Sequence, residues 1–177
     1  MDSLEIYLYG SPLLLRNTRR VGELPRAFPQ FLERMYTTMY SDDGIGLSAN
    51  QVGLDQRFFI ADFSLHDKTL SREVFINPEI LEKRGSDILE EGCLSIPGIR
   101  EKVTRAYEIR VRYENLEREI LEREFTGFPA RVVQHEVDHL NGVLFVERLS
   151  PLKRSFIQSK LKRIAEKGTN QTEPITI

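Results

Sequence analysis

The sequence predicts an α+β fold, in which short antiparallel β-sheets surround a central metal-binding helix that carries an H-E-x-x-H motif. Three observations predict it. Segments with helical periodicity flank short strand-like runs, no βαβ repeat occurs, and "VVQHEVDHLNG", residues 132–142, places two of the three histidines four residues apart. The 177 residues suit one domain, which we expect to cover residues 1–167, followed by a flexible polar tail over residues 168–177.

The bulk composition is that of an ordinary globular chain. Hydrophobic residues make up 40%, and a formal net charge of -2 gives no global reason to expect nucleic acid binding. The single cysteine, Cys93, excludes an intrachain disulfide. No run approaches the roughly 20 apolar residues of a membrane span, and Gly10 and Pro12 interrupt the N-terminal apolar run, unlike in a signal peptide. We therefore expect a cytoplasmic protein that binds no membrane.

The first predicted helix begins at Phe28, where apolar residues recur at helical spacing and Pro29 suits the first turn. "SDDG" ends this helix, and a loop with several glycines follows, "GIGLSANQVG". The runs "RFFIAD" and "EVFINP" then read as strands. "YEIRVRYEN" alternates in polarity and, together with "EREILEREF", predicts a β-hairpin.

The central helix is predicted over residues 129–140, between Pro129 and a left-handed stop at Asn141-Gly142. A last helix is predicted over residues 151–167. We expect its apolar residues to pack on the body and its basic residues to face outward. The apolar residues are Leu152, Phe156, Ile157, Leu161 and Ile164. The basic residues are Lys153, Arg154, Lys160, Lys162, Arg163 and Lys167.

The H-E-x-x-H motif predicts half of a metal site. His135 and His139 lie one helical turn apart on the same face, so both can point at one ion, while Glu136 offers a carboxylate that can accept a proton. Two such histidines can also be plain surface or core residues. Apolar neighbours such as Val132 and Val137 favour a buried metal site.

A metal site needs a third ligand. No histidine follows His139, Glu147 is close along the chain, and Glu166 lies in the basic terminal segment. Cys93, in "EGCLSIPG", is the better candidate because a thiolate binds zinc or ferrous iron strongly. The alternative for a lone cysteine is a small buried hydrophobe, which the residues by themselves leave open.

Three segments together resemble the peptide deformylase family. "GIGLSANQ", "EGCLS" and "QHEVDHLNG" match that family's G-x-G-x-A-A-x-Q, E-G-C-x-S and H-E-x-D-H motifs, in the same order and with similar spacing. The likeness continues through "GVLFVERLSPLK". Each motif alone is weak to moderate, whereas the three in order are highly specific. Ser48 stands where the family usually has alanine.

The resemblance implies a metal-dependent hydrolase that removes the formyl group from N-formylmethionyl nascent polypeptides and releases formate. The implied ligands of one divalent metal are Cys93, His135 and His139. Fe²⁺ is the favoured ion, and Zn²⁺, Ni²⁺ or Co²⁺ can substitute. Glu136 is the implied general base. The side-chain amide of Gln51 and the backbone N–H of Leu94 are the implied oxyanion donors.

The resemblance also implies how the substrate binds. Ile45 and Gly46 match a strand-like edge that pairs with the peptide main chain, and Gly44 and Gly46 let the loop backbone approach it. An apolar pocket would take the methionine side chain. Its candidate walls, Ile45, Leu94 and Val132, could equally be plain core residues.

For two further residues the sequence allows either a role at the site or a merely structural one, and to a third it assigns no role. Asp138 either fixes the geometry of the site, with Arg105 as its candidate partner, or is an exposed helical acid. Glu91 is either a neighbour of the ligands or a charge on a strand. His66 lies in a polar loop and is predicted to be a surface residue without a role.

Other functions remain in competition. A zinc endopeptidase would share the helix and Glu136 but replace Cys93 as the third ligand, and a non-catalytic module of the same fold would bind without chemistry. For the basic last helix, the resemblance implies docking on ribosomal RNA, against the plain alternative of a solvated amphipathic helix.

Overall fold

The computed structural model describes residues 3–177, so residues 1 and 2, which open the predicted domain over residues 1–167, lie outside the described residues. The α+β prediction is confirmed. Residues 3–177 contain three α-helices, α1 (Phe28–Ser41), α2 (Gly127–Leu140) and α3 (Pro151–Gly168). Over the same residues the strands are β1 (Gly46–Ser48), β2 (Phe58–Asp62), β3 (Arg72–Arg84), β4 (Asp87–Cys93), β5 (Ile96–Arg105), β6 (Glu108–Glu114) and β7 (Ile120–Thr126).

Antiparallel pairing arranges the strands in a five-stranded sheet, ordered β1-β2-β3-β6-β7, and a two-stranded sheet of β4 and β5. The predicted hairpin is confirmed as β6 and β7, with Ile109 opposite Phe125. The sequence did not predict β4. Its Ile88 and Leu89 are exposed, at 60% and 41%, so this strand has no periodic apolar face.

Strand β2 divides the core between the two faces of the larger sheet. Side chains alternate along a strand, so Phe58 and Ile60 face one side while Phe59 and Ala61 face the other. The first pair packs with α1, where the rings of Phe28 and Phe58 lie 5.0 Å apart. The second pair packs with apolar residues of α2. Helix α2 is thereby held against one face of the sheet.

Helix α2 ends as predicted, at a glycine in the left-handed region. Gly142 has φ +71°, and a β-carbon on it would lie 2.6 Å from the backbone of Leu15. No other residue fits this turn without strain. The helix begins two residues before Pro129, at Gly127, which itself has φ +58° after β7.

One expectation for α3 is wrong: Leu152 and Phe156 do not pack on the body. They are 67% and 75% exposed, whereas Ile157 and Leu161 are buried and Ile164 is partly buried. At about 100° per residue, the first two lie on a different side of the helix from the other three. Only one of these sides can face the body.

Within residues 3–177, no helix is both long enough and apolar enough to cross a membrane.

The segment over residues 168–177, predicted to be a flexible tail, lies against the body. Ile175 and Ile177 contact the core cluster beside α1, and the backbone N–H of Ile175 donates to the carbonyl of Gly53 at 2.8 Å. The predicted division at residue 167 stays a prediction.

Candidate metal centre

Three side chains from two parts of the chain converge beside α2. Cys93 ends β4, and His135 and His139 lie four residues apart on α2. Their ligand atoms all lie within 4.8 Å of one another, and Cys93 Sγ is 3.1 Å from His139 Nε2. The register of β4 with β5 shifts between Gly92 and Cys93, at the turn where the thiol enters the site. The three predicted ligands are therefore brought together.

His135 is oriented by Glu91 on β4. Its Nδ1 lies 3.2 Å from Glu91 Oε2, and a carboxylate can only accept, so Nδ1 carries the proton and Nε2 remains available as a ligand. Burial lowers the pKa of His135, but its hydrogen bonds with Cys93 and Glu91 outweigh burial and raise the pKa to about 10. The groups that favour this proton also favour a metal cation in its place, and Nε2 must lose the proton when it binds such an ion.

The carboxylate of Glu91 is itself held by two buried arginines. Arg105 donates to it twice, at 2.6 and 2.9 Å, and Arg131 donates at 2.6 Å. Burial raises the pKa of Glu91, yet the hydrogen bonds with His135 and Arg105 hold that pKa far below its ordinary value. Glu91 thus stays ionised, and of its two predicted readings the neighbour of the ligands is confirmed.

Asp138 is a buried partner of Arg105, as one of its two readings predicted. Arg105 Nη1 donates to Asp138 Oδ2 at 2.7 Å, and Arg148 binds both carboxylate oxygens at 2.5 Å. Asp138 is 7% exposed, so the alternative of an exposed helical acid is wrong. Since Asp138 precedes His139 on α2, this pairing ties the ligand helix to β5.

The chemistry of the donor set fits a divalent cation. Burial lowers the pKa of His139 well below its ordinary value, and a neutral imidazole is the form that binds a metal. Nδ1 of His139 is buried and has no hydrogen-bond partner among the described residues. A thiol and two imidazoles within one another's reach match zinc and ferrous iron alike.

Glu136 lies beside the cluster and is almost fully buried. It is 3% exposed, and its Oε2 has no hydrogen-bond partner within residues 3–177. Burial raises the pKa of Glu136 to about 7. Gly46 lies close to it, since a β-carbon there would be 2.5 Å from Glu136 Oε1. A carboxyl group with this pKa can exchange a proton near neutral pH.

Gln51 turns its amide nitrogen toward the thiol. Its Oε1 accepts from the backbone N–H of Ser48 at 3.0 Å and from the Ser48 hydroxyl at 2.8 Å. A backbone N–H can only donate, so the atom facing it is the oxygen. Nε2 therefore points to Cys93 Sγ at 3.5 Å and to Ser95 Oγ at 3.1 Å. Ser48, which stands where the family usually has alanine, thus adds its hydroxyl as a second hydrogen-bond donor to Gln51 Oε1.

A cavity of about 610 Å³ opens beside these groups. Of the predicted substrate contacts, Ile45, Gly46 and Val132 line it, and so does Leu94. Gly44 does not line it. Gly44 lies behind Leu94, where a β-carbon would be 3.1 Å from Leu94 Cδ1.

Several residues that line the cavity or contact Gln51 were not predicted from the sequence. Arg131 precedes His135 by one helical turn, and this spacing could have identified it. Ser95 belongs to the "EGCLS" motif, which was a second available signal. Ile6 and Leu8 line the cavity without any sequence signal. His66 is exposed as predicted, and its ring centroid lies 4.5 Å from that of Phe128, which lines the cavity, with the two rings tilted by 34°.

A thiol and two imidazoles beside a buried carboxylate, next to a cavity, form the arrangement that mononuclear metallohydrolases use. The family model described as polypeptide deformylase matches residues 3–155. The chain belongs to the polypeptide deformylase family.

Individual relatives agree with this assignment. A peptide deformylase of Thermotoga neapolitana is 43% identical over 162 residues, which cover 91% of this chain and 96% of that protein. The crystal structure of the Thermotoga maritima peptide deformylase superposes with a TM-score of 0.79 at 42% identity, covering 85% of this chain and 100% of that one. A Met-Ala-Ser-bound peptide deformylase of Acinetobacter baumannii superposes with a TM-score of 0.77 at 38% identity, covering 84% of this chain and 99% of that one.

Proposed function

We propose that this chain removes the formyl group from N-formylmethionyl nascent polypeptides in a metal-dependent hydrolysis that releases formate. One observation carries the proposal. Cys93 and His135 of the three-ligand cluster, the carboxylate of Glu136 with its unpartnered Oε2, and the amide of Gln51 all line one cavity. The family and its relatives supply the class of reaction. The cytoplasmic location expected from the sequence stays a prediction.

Cys93, His135 and His139 would hold one divalent ion. The resemblance of the sequence to deformylases favours Fe²⁺, with Zn²⁺, Ni²⁺ or Co²⁺ as substitutes, and the donor set suits these ions. When bound, such an ion supplies Lewis acidity that brings the pKa of water toward neutrality. Glu91 fixes the ring of His135 for this purpose.

Glu136 is the proposed general base. It would take one proton from the attacking water, whose oxygen forms a bond to the formyl carbon. The C–N bond then breaks, Glu136 returns the proton to the leaving amine, and the product departs as formic acid, which ionises to formate in water. The buried and unpartnered Oε2 supports this role, because no other side chain among residues 3–177 hydrogen-bonds to it.

Two donors would stabilise the oxyanion that develops on the formyl oxygen. Ser48 and Ser95 hold the side chain of Gln51 so that its amide nitrogen faces Cys93 Sγ. We expect this amide to donate to the oxyanion without reorienting. The backbone N–H of Leu94, directly after Cys93, is the proposed second donor. Removal of one such donor typically costs roughly 10²–10³ in rate.

The substrate is proposed to lie along β1. This strand is at the edge of the five-stranded sheet and pairs with β2 on one side, so its other side, at Gly46, can pair with a peptide main chain. Such backbone contacts tolerate many sequences. Ile45, Leu94 and Val132 would line the pocket for the methionine side chain. The related Acinetobacter enzyme binds Met-Ala-Ser, which supports a peptide as the ligand of this chain.

A matched pair of peptides tests the function. Formyl-Met-Ala should be hydrolysed to formate and Met-Ala, whereas acetyl-Met-Ala should react far more slowly. Cleavage of internal peptide bonds in longer unformylated peptides would instead support the zinc endopeptidase. Binding of formyl-Met-Ala without turnover in metal-loaded protein would support the non-catalytic module.

The basic face of α3 is the proposed contact with the ribosome. Lys160, Lys162 and Arg163 are exposed, and Phe156 on the same helix is 75% exposed. Lysine and arginine bind phosphates, and an exposed aromatic ring can stack on an unpaired base. These features support ribosomal RNA as the partner over a merely solvated helix face. They would bring the enzyme to emerging formylated chains.

A further inference from the structure

An N-terminal segment, residues 5–9, is bonded on one edge to two elements of the site. The backbone N–H of Tyr7 donates to the carbonyl of Gln51 at 2.7 Å, and that of Tyr9 donates to the carbonyl of Ser95 at 2.8 Å. The side chains of Gln51 and Ser95 are themselves hydrogen-bonded to each other. This edge of the segment therefore contacts the backbone of Gln51, the proposed oxyanion donor, and the backbone of Ser95, which hydrogen-bonds to the side-chain amide of Gln51.

The opposite edge of the segment is bonded to a single side chain of the C-terminal tail. Gln171 Oε1 accepts from the backbone N–H of Leu8 at 2.7 Å. Its Nε2 donates to the carbonyl of Ile6 at 3.0 Å and to Glu5 Oε1 at 2.8 Å. In an extended chain, backbone groups of alternate residues point to opposite sides. The amide of Gln171 thus takes the place of a neighbouring strand.

The tail reaches the same region through two more bonds. The hydroxyl of Tyr7 donates to the carbonyl of Glu173 at 3.0 Å, and the backbone N–H of Ile175 donates to the carbonyl of Gly53 at 2.8 Å. Gly53 caps the short helix Ala49–Val52 that carries Gln51. A β-carbon on Gly53 would lie 2.6 Å from the ring of Tyr7, so this packing is tight.

We propose that Gln171 is a positioning residue for Gln51, acting through residues 5–9. Ile6 and Leu8, to whose backbone it is bonded, line the cavity, and Tyr7 between them holds the backbone of Gln51. The match to the family ends at residue 155, so this contact lies outside it. The inference rests on the proposed function, because its readout is deformylation.

Gln171→Ala removes three hydrogen bonds to the segment. We expect kcat for formyl-Met-Ala to fall about tenfold with KM changed less than twofold, because small misplacements of a transition-state donor lower kcat. Metal content and melting temperature should stay near those of the parent chain. The matched control is Thr172→Ala, an exposed neighbour that should leave kcat unchanged. Parent-like kcat in Gln171→Ala overturns the proposal.

A double-mutant cycle separates positioning from general loosening. If Gln171 acts through Gln51, then Gln171→Ala should have no further effect on kcat in a Gln51→Ala background. Equal tenfold losses in both backgrounds would overturn the proposal in favour of a merely structural role. Should Gln171→Ala fail to fold, Gln171→Glu takes its place in the cycle, since it keeps the acceptor for Leu8 and loses the donor. An inactive parent chain would refute the proposed function instead.

Discussion

Gly46 and Glu136 pack so closely that a β-carbon on Gly46 would lie 2.5 Å from Glu136 Oε1. Real β-carbons do not approach an oxygen so closely, so any side chain at position 46 must displace the proposed base. The glycine is thus required by the carboxylate behind it as well as by an approaching peptide.

Gly46→Ala should lower kcat/KM for formyl-Met-Ala by at least about tenfold, because a 1 Å displacement of a catalytic group can cost 10² in rate. Metal content, measured by elemental analysis, should be retained, since the three atoms nearest a β-carbon at position 46 all belong to Glu136 and none to a proposed ligand. Gly22→Ala is the matched control, because nothing lies within 4 Å of a β-carbon at that exposed glycine. Equal activity of both variants would contradict the assignment of Glu136 as the general base.

Glu136→Gln keeps the shape of the side chain and removes its ability to accept a proton. We expect full metal content and a loss of deformylase activity of about 10²–10⁴, the usual contribution of a general base. Activity and bound metal should be measured on the same preparation. Near-normal turnover of a fully loaded variant would show that another group takes the proton.

Cys93→Ala distinguishes the deformylase from the zinc endopeptidase. The thiol is one of three ligand atoms that lie within 4.8 Å of one another, so its loss should leave two imidazoles and release most of the metal. Elemental analysis after dialysis measures the retained ion. An endopeptidase with a different third ligand would keep its metal in this variant.

Oxygen should inactivate the iron form. Cys93 is a free thiol, partly open to the cavity, and a thiolate beside ferrous iron is readily oxidised. We expect protein purified in air to lose activity that anaerobic purification preserves. Reconstitution with Ni²⁺ or Co²⁺ should give an air-stable enzyme. Iron-loaded protein that keeps its activity for days in air would rule out this vulnerability.

Ribosome binding should depend on the basic face of α3 and fall steeply with salt, since phosphate contacts release counterions. Reversing the charges of Lys160, Lys162 and Arg163 should abolish co-sedimentation with ribosomes while sparing hydrolysis of formyl-Met-Ala. The control reverses three exposed basic residues elsewhere, with the same change in net charge: Arg16, Lys68 and Lys83. Equal co-sedimentation of the two variants would exclude α3 as the docking element.

The histidine pair could be predicted from the sequence because its geometry is local. Helical periodicity puts His135 and His139 on one face wherever the helix packs, and Gly142 ends that helix through its own backbone freedom. The β6–β7 hairpin is local in the same sense. Its strands are joined by a short turn and alternate in polarity.

Contacts between distant segments could not be predicted in this way. Cys93 lies 46 residues before His139, and only the packing of α2 against the end of β4 makes them neighbours. Helical spacing also failed for Leu152 and Phe156, because periodicity alone does not say which side of α3 meets the body.

The sequence by itself determined the α+β class, the H-E-x-x-H motif and the resemblance to deformylases, since these depend on residue types at short, fixed spacings. The tertiary structure decided that Glu91 orients His135, that Ser48 and Ser95 aim the amide of Gln51, and that Gln171 joins the tail to residues 5–9. The physical reason is that such hydrogen bonds depend on strand register and packing, which the whole chain establishes together.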